Sequence, residues 1–346
     1  MRAVVSDGVG RVRIDDIPEP KIEASKDAIV RVTRTGICGS DLHLVHGKAP
    51  IEPGEQLGHE AVGVVETVGD EVEDVRTGDR VVVAFNVSCG NCWFCRTGRS
   101  GLCEEQGIFG YGVFGGALPG AQAELLRVPN ADVNLLRVPE AVPDDAAVFV
   151  GDVLTTGFYA ASLAGVGGDD VVAVVGCGPV GICTVMGLRA SGSENVYALD
   201  REPARLALAR GAGAIPIHVD ERNPATALAE ATDGRGADAV IDAVGHPSAF
   251  EGAIDAVRRG GTVVIAGVYS SETVELQLGA YWSRALTLRF AGITPVHSWW
   301  ERAMASLDRP EIDPTPIISH HLSLEEAAEG YELFDQHEAT KVVLHP

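Results

Sequence analysis

Up to about residue 150, hydrophobic positions fall in short β-branched runs, such as Ala28–Thr33, Ala61–Val68 and Arg80–Ala84, broken by Gly, Pro and Asp clusters. Runs of this kind predict the strands of a β-rich unit. From Asp170 the pattern changes. A continuous apolar run, Val171–Val175, precedes a helical stretch over Pro179–Ala190 and a second strand-like run, Val196–Leu199. The alternation repeats through Ile215–Val219, Asp238–Ala243, Thr262–Ala266 and Leu286–Phe290. Buried strands alternating with helices predict a parallel sheet with crossover connections. Towards the C-terminus come amphipathic stretches, Trp299–Leu307 and Leu324–His337, and a final strand, Lys341–Leu344. The plan is α/β: a β-rich domain built from both chain ends, with a doubly wound domain inserted between them.

Composition narrows the class. At 346 residues the chain exceeds one ordinary core, which agrees with two domains. No apolar stretch approaches the ~18 residues of a membrane span. The N-terminal Met1-Arg2-Ala3-Val4-Val5 enters a strand without a signal peptide's apolar region, so cytoplasmic placement is expected by elimination. A net charge of −22 repels nucleic acid and anionic membranes, and neither is an expected partner. Lysine is confined to Lys21, Lys26, Lys48 and Lys341, so arginine carries most of the positive charge. Two explanations stand side by side: a surface adapted to high salt, or an arginine-biased genome with an ordinary acidic surface.

The run Val171–Val175 leads straight into Gly176-Cys177-Gly178-Pro179-Val180-Gly181, a G-x-G-x-x-G turn. The glycines serve in turn the tight bend, close approach to a pyrophosphate, and close helix-to-strand packing. The helix that follows offers free N–H groups and a favourable dipole to a diphosphate. Alone the motif is weak. Here it follows a strand, opens a helix, and has Asp200 at the end of the next strand, which makes a dinucleotide site the expectation. A carboxylate at that position accepts the ribose hydroxyls and repels a 2′-phosphate, so NAD is expected over NADP. Arg201 and Arg205 soften that preference, since an arginine there can accommodate the phosphate.

Cys89, Cys92, Cys95 and Cys103 form a C-x2-C-x2-C-x7-C run within a loop-forming segment. Four thiolates on short loops suit the tetrahedral corners of zinc, and a site closed by four thiolates braces a loop and does no chemistry. Two disulfides are the alternative for the same cysteines. Cys177 and Cys183 read as small buried hydrophobes.

Three further segments carry groups of metal-ligand type: Gly36–His43, with Cys38, Ser40, Asp41 and His43; Gly58-His59-Glu60; and Gly151–Gly157, with Asp152. Singly each is bland. In this order, with the four-cysteine run and the Gly-rich turn, they resemble the zinc-dependent medium-chain alcohol dehydrogenases over essentially the whole chain. The stretches 114–124 and 131–136 look most like the formaldehyde-dehydrogenase-like branch. This chain is shorter than the glutathione-independent formaldehyde dehydrogenases and lacks their long insertion.

That resemblance implies a β-rich GroES-like catalytic domain (residues 1–153 and 294–346, with a zinc lobe at 86–104) and a Rossmann domain at 154–293. It implies two zinc ions per chain and NAD. Cys38, His59 and Asp152 take the place of the catalytic zinc ligands. Many relatives have a second cysteine where this chain has Asp152, and the formaldehyde-dehydrogenase-like branch has aspartate. Asp41 takes the place of the partner that fixes the His59 ring. Glu60 either approaches the metal during ligand exchange or is a bystander. Ser40 and His43 resemble a proton relay that runs through the cofactor ribose, and Val268 and Lys341 resemble cofactor contacts, Lys341 at the diphosphate. The implied reaction is hydride transfer between NAD and an alcohol or small aldehyde hydrate, by a homo-oligomer, with a tetramer favoured over a dimer. Competing readings are a zinc-free quinone or enone reductase, and a non-catalytic NAD-binding protein on the same scaffold.

Overall fold

A computed structural model describes residues 1–269 and 273–346. The chain forms two units: Met1–Thr155 with Ile293–Asp308 and Pro314–Pro346, and Thr156–Gly292 with Arg309–Asp313. The expected breaks at 153/154 and 293/294 therefore fall at 155/156 and 292/293, and the short segment Arg309–Asp313 joins the second unit.

The first unit is organised by a seven-stranded sheet in the order His320–Ser323, Val342–His345, Ala28–Ile37, Glu60–Val68, Arg80–Val83 and Leu135–Arg137, with Leu125–Val128 also paired to Ala28–Ile37. Alternating valines explain the strand set. Val30, Val32, Val65, Val81 and Val83 point into one apolar cluster with Phe109 and Leu126. The central strand runs longer than its apolar run, from Ala28 to Ile37, because pairing on both sides carries the polar stretch Thr33-Arg34-Thr35. Register is what matters for function. Gly36 pairs with Glu60, and Ile37 pairs with Val342. Those pairings bring Cys38, His59 and Lys341, each one residue beyond a paired position, to one end of the sheet.

The second unit holds six parallel strands: Val171–Val175, Asn195–Asp200, Ile215–His218, Ala237–Asp242, Val257–Ile265 and Thr287–Phe290. Numbered along the chain, their order across the sheet is 3-2-1-4-5-6, the doubly wound arrangement. The fifth strand starts earlier than its apolar run, at Val257, with a register break between Ala237 and Ala239 on its neighbour. Arg258-Arg259-Gly260-Gly261 carry no strand signal and fall in that register break, between the paired residues Val257 and Thr262, with Gly260 at φ +68 and its amide bonded to Arg284 O. Helix Pro179–Ala190 begins at the expected proline, whose missing N–H costs nothing at a helix start.

Candidate metal and dinucleotide sites

The four-cysteine segment folds as a small lobe: a helical turn, Trp93–Arg96, then a 3-10 turn, Ser100–Leu102. Gly90 and Gly98 take positive φ angles where the chain reverses. The sulfurs of Cys89 and Cys95 stand 4.0 Å apart, those of Cys92 and Cys95 3.5 Å, and those of Cys92 and Cys103 4.0 Å. A disulfide needs about 2.05 Å, so the cysteines are unbridged. Tetrahedral zinc–sulfur bonds of about 2.3 Å place sulfurs roughly 3.8 Å apart, and the observed spacing fits. Backbone N–H groups also aim at the sulfurs: Cys89 and Glu105 donate to Cys103, and Cys92 donates to Cys89. Amides of Cys95 and Glu104 draw the Cys92 thiol down to about 6. These amides favour the thiolate, the form that binds metal, at Cys92, whereas burial pushes the Cys95 and Cys103 thiols up.

The second cluster gathers ligand atoms of Cys38, His59, Glu60 and Asp152, all within 4.8 Å of one another. Cys38 follows the central strand and caps helix Gly39–Val45, His59 precedes the paired strand, and Asp152 precedes helix Val153–Ala164. His59 Nε2 lies 3.3 Å from Asp152 Oδ2, and Cys38 Sγ lies 4.0 Å from the same oxygen. On the ring's other side, Nδ1 is 3.1 Å from Asp41 Oδ1, as a partner that orients a ligating histidine would be. Burial works against charge on this ring, but Asp41 and Asp152 outweigh it and hold His59 well above the usual imidazole range. A pocket of anionic groups that draws a proton onto a buried histidine is one that accepts a cation. Both donor sets can hold a metal ion.

Around this cluster stand groups without a sequence signature. The Phe85 and Tyr111 rings meet the His59 ring edge-on at 6.1 and 6.3 Å. The Tyr111 hydroxyl donates to Ser40 O, and burial pushes it up to about 12, so it remains a donor at neutral pH. Ser40 Oγ lies 3.4 Å from His59 Nε2. His43 follows three residues later on the same short helix, hence on the same face, and is half-buried. Lys341 is a correction. Expected at a cofactor diphosphate, its ammonium is buried in the first unit, donating to Glu60 Oε1 at 2.6 Å and Ile37 O at 3.0 Å. Strand pairing of Val342 with Ile37 delivers it there.

In the second unit Gly176 takes φ +89, which a side chain would resist. A Cβ at Gly181 would sit 1.8 Å from Gly176 O, so the helix can approach its strand only with glycine there. Gly178 caps the helix that Pro179 and Val180 begin. Asp200 Oδ2 accepts the Cys177 amide at 2.6 Å, and Oδ1 accepts those of Arg201 and Glu202 at 2.7 and 2.9 Å. The carboxylate thus ties the Gly-rich turn to the next strand's end. Arg201 is exposed, and Arg205 is half-buried; burial and Asp200 push the Cys177 thiol up, and Arg205 opposes them only in part. Val268 is exposed just past the fifth strand.

Two family models match the chain: an alcohol dehydrogenase GroES-like domain at residues 24–140 and a zinc-binding dehydrogenase domain at 179–309. An uncharacterized zinc-type alcohol dehydrogenase-like protein AdhB of Bacillus subtilis is 38% identical over 380 residues, covering 100% of both chains. Among solved structures, alcohol dehydrogenase TADH of Thermus sp. ATN1 superposes with a TM-score of 0.95 at 42% identity, covering 100% of this chain and 99% of that one. A putative zinc-binding dehydrogenase of Sinorhizobium meliloti, solved with NADP, gives 0.87 at 29%, covering 100% and 99%. The chain belongs to the zinc-type medium-chain alcohol dehydrogenase family, with its GroES-like and Rossmann-like fold. It is an alcohol dehydrogenase-like oxidoreductase, and its family implies zinc and NAD(P). Kinship with the formaldehyde branch is more distant: a formaldehyde dismutase of Pseudomonas putida is 31% identical over 396 residues, covering 100% of this chain and 97% of that one.

Proposed function

We propose that the protein is a zinc-dependent oxidoreductase that moves a hydride between NAD and a primary or secondary alcohol, or a small aldehyde hydrate. One observation carries the reading: Cys38, His59 and Asp152, from three distant segments, place a thiol, an imidazole and a carboxylate in one buried cluster beside Ser40. When bound there, zinc supplies Lewis acidity towards the substrate oxygen, and the nicotinamide takes or gives the hydride. The chain's own residues do the rest. Asp41 holds the His59 ring. Phe85 and Tyr111 wall the cluster with apolar surface and exclude water. Ser40 Oγ takes the proton that the substrate hydroxyl gives up as its own proton moves on towards His43, which releases it to solvent. Glu60 stands within reach of the metal position, held by Lys341.

The four-cysteine lobe is proposed to bind a second, structural zinc. Asp200 supports NAD over NADP, and Asp152 in place of a cysteine supports kinship with the formaldehyde-dehydrogenase-like branch. A homo-oligomer is supported by the edge strand Thr287–Phe290, which pairs on one side only among the described residues, with Phe290 and Trp282 exposed on the same unit; family resemblance favours a tetramer. A cytoplasmic protein acting on small molecules, with no nucleic acid or membrane partner, completes the proposal. No described helix is long and apolar enough to cross a membrane. Elemental analysis together with NADH and NADPH formation over an alcohol and aldehyde panel tests the reading. Two zinc ions per chain and NADH formation are expected, and a chain without zinc that reduces quinones would overturn it.

A further inference from the structure

The Asp41 carboxylate that holds His59 is itself held. It has no exposed surface, and beyond His59 its Oδ2 accepts from the Cys38 amide at 3.0 Å and from Gln122 Nε2 at 3.5 Å. Gln122 is equally buried. Its Nε2 also donates to Gly36 O at 3.0 Å, and its Oε1 accepts the Tyr331 hydroxyl at 2.9 Å. Tyr331 lies on helix Ala327–Asp335, far along the chain from every metal-type ligand, and is buried too.

This geometry leaves the amide one orientation. The Gly36 carbonyl and the Asp41 carboxylate can only accept, so Nε2 must face them, and Oε1 is left to accept the Tyr331 hydroxyl proton. Turned over, the amide would set its oxygen against a carbonyl and a carboxylate, and would take from the hydroxyl the oxygen it donates to. Packing enforces the position. The Gln122 amide donates to Leu57 O, and that of Ala121 to Gly58 O, pinning this segment to the residues just before His59. At Gly58 a Cβ would meet Gln122 Cγ at 2.3 Å, and the residue has φ +88, so glycine there leaves room for this side chain.

We propose that Gln122, oriented by Tyr331, is a positioning residue for the metal centre. Its N–H steadies the Asp41 carboxylate and so fixes the angle and electron donation of the His59 ring. The chain Tyr331–Gln122–Asp41–His59 connects the C-terminal helix to the ligand cluster. Each link is polar and buried, and loss of Gln122 leaves Asp41 Oδ2 with the Cys38 amide as its one remaining amide donor. The inference rests on the metal reading above, and the test separates the two.

Gln122→Met, Tyr331→Phe and the double variant are compared with the parent chain for zinc loss to a chelator, followed by elemental analysis, and for the visible absorption of the cobalt(II)-substituted protein. Gln122→Met should release the zinc held by Cys38, His59 and Asp152 about tenfold faster and shift the cobalt bands. Tyr331→Phe, which removes one oxygen and keeps the ring, should move both readouts the same way by less. The double variant should fall short of the sum of the two single effects, because Tyr331 acts in part through Gln122. Parent-like release and bands in either folded variant, or additive effects in the double, would overturn the inference. Should Gln122→Met not fold, Tyr331→Phe alone decides on the same two readouts. A parent chain that binds zinc only at the four cysteines would instead bring down the metal reading, and this inference with it.

Discussion

The Lys341 ammonium stands 2.6 Å from each Glu60 carboxylate oxygen, and neither side chain has more than 1% of its surface exposed. Burial opposes the lysine's charge, yet Glu60, Cys38 and Asp152 raise its pKa, while burial and Asp152 push the Glu60 carboxyl up against the pull of Lys341; the contact geometry is that of a buried ion pair. Removing one partner leaves an uncompensated buried charge. Lys341→Met should destabilise the protein by about 3 kcal/mol or more. Lys341→Met with Glu60→Gln should recover part of that loss. Chemical denaturation of the zinc-loaded proteins checks both, and a single variant as stable as the parent would contradict the pairing.

Cys103→Ser should lower zinc content from two ions per chain to one and lower the melting temperature, while the folded remainder still turns over substrate. Elemental analysis and calorimetry read this directly. Retention of both ions and full stability would remove the structural assignment of the four-cysteine lobe.

Asp152→Ala takes the carboxylate from the cluster that contains Cys38 and His59. Turnover should vanish while NAD binding, followed by titration calorimetry, is largely kept, since the Gly-rich turn and Asp200 belong to the other unit. Unchanged turnover would point to Glu60 as the working third ligand.

His297 donates from Nε2 to Asn134 Oδ1 at 2.8 Å, and Asn134 in turn accepts the Ser88 amide at the base of the cysteine lobe. Burial lowers His297 from 6.5 to about 4. The unfolded chain therefore takes up a proton near pH 6.5 that the folded chain refuses until pH 4. Stability from this group is complete above pH 6.5 and is lost as pH falls towards 4, by up to roughly 3 kcal/mol. His297→Gln keeps a donor for Asn134 and removes the titration. Its stability relative to the parent should rise as pH drops through that window, and parallel profiles would refute the assignment.

Asp200→Ser leaves Arg201 and Arg205 in place and removes the carboxylate. The ratio of kcat/KM for NAD to that for NADP should fall by at least tenfold. A parent that already uses both cofactors equally would show that Asp200, busy with three backbone amides, does not discriminate at the ribose.

Periodicity and local chemistry were enough for much of this protein. Val171–Val175 and Pro179–Ala190 are bounded in the structure where their sequence signals begin and end, because a buried strand, a glycine turn and a proline helix start are local events. The four-cysteine lobe was legible for the same reason: its ligands lie within one short loop. The second ligand set was readable only through resemblance, since nothing local links Cys38, His59 and Asp152. Tertiary structure decided what no spacing encodes. Antiparallel register set Lys341 on Glu60 instead of at a cofactor phosphate, and a break in register placed Arg258–Gly261 as an unpaired irregularity within the fifth strand. Gln122 and Tyr331 gave no signal at all, because a buried amide and a buried phenol acquire direction only from the partners that folding brings within hydrogen-bonding distance.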